Sequence, residues 1–145
     1  MVYVDTSVLV ALIVNEAGSA AVAKWYAGCK AELVSAAWCV PEFASAMGIE
    51  QRTGQLDATQ ARDAWERFER LVAKDPKLLP VELAAFHRAA LLVLDAASAL
   101  RAADALQPAC AEQAQVKSVA TLDAVKARSA QRLKIKPVQF QGGGD

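Results

Sequence analysis

The sequence predicts a three-layer α/β domain in which helices cover both faces of a mostly parallel central sheet of four to five strands. Short apolar, β-branched segments alternate with longer helix-forming segments along the chain, the pattern of parallel strands joined by right-handed crossovers. Val2-Tyr3-Val4 is apolar without alternation, as expected of a strand buried on both faces. Ala, Leu, Glu, Arg and Gln dominate a composition that is 54% hydrophobic and 22% charged, so the chain should be globular and rich in helix.

A first strand over residues 1–4 runs into Asp5-Thr6-Ser7 and then a helix over 8–15. Thr6 or Ser7 can cap that helix, which sets Asp5 in a tight strand-to-helix turn. A second helix starts at Ser19 and runs through Tyr26 toward Gly28, and residues 31–35 form the second strand. Pro41 suits a first helical turn, so the next helix is expected from there to about Thr53, stopping at Gly54. Glu42 then lies among unpaired amides at the positive end of the helix dipole. Asp57-Ala58-Thr59-Gln60 is a capping box for a helix reaching about Ala73.

Residues 78–81 read as a third strand. A helix follows from Glu82 or Leu83, with Leu83, Phe86, Ala90 and Leu94 as its packing stripe and His87 off it, exposed. Ser98 is expected to cap a helix over 99–113, with Asp104 one or two turns in and Pro108 kinking or shortening it. A fourth strand spans 116–120 and leads through Thr121 to Asp123 and a helix over 124–131. Residues 133–140 form an edge strand in which Pro137 is tolerated. A single domain over 1–140 and a disordered tail over 141–145 complete the expectation.

At 145 residues the chain can bury a substantial core. Three cysteines, Cys29, Cys39 and Cys110, are odd in number and lack CxxC spacing. This argues against a disulfide framework or a zinc site and fits buried thiols in a reducing cytoplasm. No apolar run approaches the roughly 18 residues of a membrane span. Trp25, Tyr26, Trp38, Trp65 and Phe68 exceed what a small core hides, so some are expected at an interface.

In a parallel sheet all strand C-termini share one edge, and Asp5 and Asp123 each follow a strand. Glu42 and Asp104 lie near helix N-termini, which point to that same edge, so four carboxylates should meet there. Two such charges about 4 Å apart repel by roughly 4 kcal/mol at an effective dielectric of about 20. Such a cluster needs protons or a cation, and replacing Asp5, Asp104 or Asp123 by Asn should leave the metal-free chain equally or slightly more stable. Hard oxygen ligands without His or Cys select Mg²⁺ or Mn²⁺, ions suited to phosphodiester hydrolysis.

The segments VYVDTSVLVALIVNEAG, WCVPEF, LRAADALQPACA and VATLDAV together resemble the PIN-domain ribonucleases, and among them the short toxins of the VapC type. The resemblance implies an α/β/α domain, Mg²⁺- or Mn²⁺-dependent cleavage of RNA, a homodimer and a cognate antitoxin. Asp5, Glu42, Asp104 and Asp123 match the family's acidic positions, with Asp5, Asp104 and Asp123 as metal ligands. Thr6 or Ser7 and Thr121 match its hydroxyl positions. Gln107-Pro108 departs from the family's smoother helix, and Ala124 stands where a basic residue often follows the last acid.

Sixteen basic and sixteen acidic residues cancel, so RNA should be held by a local basic rim rather than a global field. Arg52, Arg101, Lys117, Lys126 and Arg128 are the candidates for that rim. A non-catalytic PIN-like scaffold is the alternative. A dehalogenase-type phosphatase needs an acid two residues after Asp5, where Ser7 stands. A receiver-type phosphoacceptor module needs adjacent acids before the acceptor strand and a lysine after a later one, neither of which the sequence places.

Overall fold

A computed structural model describes residues 1–140, so the expected tail over 141–145 lies outside the described residues. Five parallel strands form one sheet: β1 (Val2–Val4), β2 (Leu33–Ala36), β3 (Lys77–Leu79), β4 (Ser118–Ala120) and β5 (Lys136–Pro137), in the order β3-β2-β1-β4-β5. Among the described residues seven α-helices surround it: α1 (Thr6–Ile13), α2 (Ser19–Gly28), α3 (Cys39–Arg52), α4 (Ala58–Val72), α5 (Leu83–Leu94), α6 (Ala102–Gln113) and α7 (Ala124–Arg132). The three-layer architecture is the one expected. β1 is central and buried throughout, which is why its sequence carries no alternation. Pro137 sits on the edge strand β5, where its missing N–H costs the ladder least.

The chain leaves β1 toward β2 and β3 on one side and returns to β4 and β5 on the other. The strand order therefore reverses between β1 and β4, and a crevice opens at their C-terminal ends. The Asp5 amide donates to the Ala120 carbonyl at 2.9 Å, which places Asp5 at the lip of that crevice.

Local signals set several ends as expected. Asp57 and Gln60 form the reciprocal capping box of α4, and Gly54 follows α3 in the left-handed conformation at φ 78°. Phe43 and Phe68 stack at 4.3 Å between α3 and α4, with Trp65 stacked on Phe68 at 5.3 Å. The start of α6 differs from expectation. Ser98 closes a short 3-10 turn (Ala96–Ser98), and Ala99 is left-handed at φ 56°, so α6 starts at Ala102 rather than 99. It then runs through Pro108 without ending, although the proline withholds the N–H that would bond the Asp104 carbonyl.

The stripe expected on α5 does not face the core. Leu83, Phe86 and Leu94 are exposed, and Ala85 and Ala89 are buried instead. Ala89 packs with Ala105 and Ala109 of α6, and small residues on both helices let the backbones approach too closely to admit larger side chains. Of the rings expected in excess of the core, Phe68 is buried, and the half-buried Trp25 and Trp65 pack on Phe140 and Phe68. Cys39 and Cys110 are buried, and burial pushes their thiols up to about 11, whereas Cys29 is half-buried. Among the described residues no helix is long and apolar enough to cross a membrane.

Candidate functional site

Asp5 caps α1 from the end of β1 and is 1% exposed. Its Oδ2 accepts hydrogen bonds from Ser7 Oγ at 2.6 Å and Thr121 Oγ1 at 2.9 Å. Ser7 Oγ in turn accepts from the Leu122 amide at 3.0 Å, so hydroxyls from the β1 and β4 ends lock the carboxylate between them. Ser7 reaches Asp5 within one tight turn, whereas Thr121 reaches it across the paired strands β1 and β4.

Glu42 is in the first turn of α3 and accepts from Thr6 Oγ1 at 2.7 Å. Gln107 of α6, which is 2% exposed, donates through Nε2 to Thr6 Oγ1 at 3.0 Å and to the Glu42 carboxylate, and accepts from the Tyr3 hydroxyl. One amide thereby joins β1, α1, α3 and α6 below the crevice. In the sequence Gln107 stands out only as a departure from a smooth helix. A polar residue between Leu106 and the buried Pro108 and Ala109 was the available signal.

Burial is the main cause that raises the Glu42 carboxyl above its ordinary 4.5; Asp5 adds to it, and Thr6, Lys126 and Gln107 pull the other way. A raised folded value means that this group's contribution to stability is present below the unfolded value and is lost as pH rises through the folded one. The stability advantage of Glu42→Gln over the unsubstituted chain should therefore widen as pH rises from about 4.5 and then level off. Urea unfolding of the metal-free proteins across pH 4 to 8 (a range of about four units) checks this, and a constant or narrowing gap would contradict it.

The expected four-acid cluster forms only in part. Asp123 turns its carboxylate back to cap α7, accepting from the Val125 and Lys126 amides at 2.9 and 3.1 Å. Asp104 stands in the first turn of α6, half-buried. At the centre is a residue assigned by its sequence to an exposed rim. Lys126 is 9% exposed, and its Nζ lies 3.1 Å from Asp5 Oδ1. Burial works against the Lys126 charge, but attraction by Asp5, Glu42 and Asp104 outweighs it, so the ammonium titrates above the ordinary lysine range.

The rim itself is only half assembled. Arg101 and Arg128 are exposed beside the crevice, before α6 and on α7. Lys117 precedes β4 and Arg52 ends α3, which puts both at the opposite edge of the sheet; Arg52 is roughly 15 Å of helix from Glu42. Asp5 likewise is not a repelled carboxylate but an ion-paired one, so its replacement by Asn should destabilise the metal-free chain. Lys126 also supplies the lysine contact that the sequence did not place for a phosphoacceptor module.

Among the described residues no three His, Cys, Asp or Glu side chains are arranged to hold a metal ion. Mg²⁺ requires less than that, because it keeps several waters and is bound through one or two carboxylates with substrate phosphate. The donors here are carboxylate and hydroxyl oxygens, the hard set that such an ion selects, so Asp5, Glu42 and Asp104 fit it in chemistry.

A doubly wound α/β domain with a buried carboxylate at its topological switch point is the class that fold and site define. The chain belongs to the PIN domain family, whose model matches residues 2–131. No curated protein matches it significantly. Among solved structures it is similar to FitAcB from Neisseria gonorrhoeae (TM-score 0.71, 19% identity, covering 96% of this chain and 97% of that one). It is similar also to VapC20 from Mycobacterium tuberculosis, a toxin that cleaves the sarcin-ricin loop (TM-score 0.72, 14% identity, 89% and 95% covered). FitAB bound to a DNA fragment aligns with a TM-score of 0.70 at 19% identity, covering 95% of this chain and 94% of that one.

Proposed function

We propose that the chain is a Mg²⁺- or Mn²⁺-dependent endoribonuclease and the toxin of a VapC-type toxin–antitoxin pair. The observation that carries this reading is Asp5, a buried carboxylate at the switch point, with Glu42 held beside it by the neighbouring Thr6 hydroxyl. A divalent ion, when bound, supplies Lewis-acid polarisation of the phosphodiester and an activated water. The chain's own residues do the positioning. Ser7 and Thr121 hold Asp5 in one rotamer, while Thr6 and Gln107 hold Glu42. Asp104 stands in the first turn of α6, and Asp123 orders the start of α7, from which Lys126 reaches Asp5. Arg101 and Arg128 are the surface cations suited to RNA phosphates beside the crevice.

Two further surfaces support the assembly that this reading implies. The exposed Leu83, Phe86 and Leu94 of α5 suit a homodimer, since soluble chains seldom leave such a face uncovered. A groove between α1, α2 and α4, lined by Leu12, Val14, Ala20, Ala23 and Leu56 with Arg67 at its side, suits an apolar antitoxin segment. The decisive experiment incubates purified chain with ribosomal RNA in Mg²⁺, in Mn²⁺ and in excess chelator, and maps new 5′ ends. Discrete cuts in either metal and none in chelator are expected. Intact RNA in all three conditions, or equal cutting in chelator, would overturn the reading.

A further inference from the structure

We propose that Lys126 is a built-in cation of the acidic crevice, so that the site takes a single divalent ion. The proposal rests on the metal-dependent reading above. Its ground is geometric. The Lys126 Nζ is 3.1 Å from Asp5 Oδ1, both side chains are nearly inaccessible, and Glu42 and Asp104 are close enough to attract the same charge. No other basic side chain among the described residues pairs with these acids.

The rest of the crevice is arranged around that ammonium. Asp5 Oδ2 is already taken by Ser7 and Thr121, leaving Oδ1 to the lysine. Asp123, the fourth acid, gives its Oδ1 to the amides of Val125 and Lys126. By capping α7 it fixes the backbone from which the lysine side chain reaches back to Asp5. A divalent ion placed against the same carboxylates meets a like charge only one side chain away. Glu42 and Asp104 keep oxygens for one ion with its waters; a second would have to expel the ammonium from a buried pair.

Lys126 thus acts as a positioning residue, setting how much positive charge the site already holds before metal arrives. The test counts Mn²⁺ bound by the full chain, from the electron paramagnetic resonance of the free ion, without reference to activity. Wild type and Lys126→Arg should each bind one Mn²⁺. Lys126→Gln, and Lys126→Met as a second uncharged variant should the first fail to fold, should bind a second ion or bind the first at least about tenfold more tightly. Two ions on wild type would overturn the proposal, as would unchanged number and affinity in a folded uncharged variant. Absence of Mn²⁺ binding by wild type and variants alike would overturn the metal-dependent reading itself, a result distinct from either.

Discussion

Replacing Asp5 with Asn should lower RNA cleavage by at least about a hundredfold and destabilise the metal-free chain by about 3 kcal/mol. The loss of cleavage follows from removing the one carboxylate held by both strand ends, through Ser7 and Thr121. The loss of stability has a separate origin. Asn keeps the shape and an oxygen for the two hydroxyls, but the Lys126 ammonium remains buried without its ion-pair partner. Breaking such a pair from one side leaves an uncompensated charge, and the remaining attraction of Glu42 and Asp104 places the cost at the low end of the usual range. Asp5→Asn combined with Lys126→Met should recover most of the stability and none of the cleavage. Urea unfolding of the single and double variants beside a cleavage assay separates the two effects. An Asp5→Asn chain as stable as wild type would mean that the pair carries no energy, and one that cleaves normally would remove Asp5 from the chemistry.

Gln107→Leu should cost about 3 kcal/mol, large against the 5 to 15 kcal/mol that typically holds a domain together, roughly speaking. Leucine fills similar volume but leaves the Tyr3 hydroxyl without an acceptor in a fully buried position. It also removes a donor from the Glu42 carboxylate, a bond to a charged group and therefore among the stronger ones. Thr6 keeps its own bond to Glu42, which caps the loss. Adding Tyr3→Phe to Gln107→Leu should restore about 1 kcal/mol or more, because the orphaned hydroxyl is then absent. Stability of Gln107→Leu within about 0.5 kcal/mol of wild type would show that the network is not coupled in this way.

How much of this was readable in advance depended on the range of the physics involved. β1 was legible because burial on both faces leaves its mark on every residue of the strand. The α4 capping box and the stop after α3 were legible because a side chain or a glycine acts there on its own backbone neighbours. The placement of Asp5, Glu42 and Asp104 at one edge followed from chain polarity alone: parallel strands end together, and the helices that return antiparallel to them begin there. The face that α5 turns to the core was not legible. Its largest side chains form a stripe at helical spacing, but its partner α6 presents Ala105 and Ala109, and close approach selects the small face instead.

Sequence by itself determined the α/β architecture, the order of the elements and which acids stand at strand and helix ends, because each of these is local or fixed by chain direction. Only the tertiary structure decided what those acids contact. Lys126 reads as one more surface charge on a short polar helix until α7 packs against α6 and β5 and aims it at a carboxylate 121 residues away in the chain. Gln107 reads as an interruption of α6 until Tyr3, Thr6 and Glu42 close around it. Buried polar groups must find partners wherever the fold supplies them, and that requirement carries no sequence period to read.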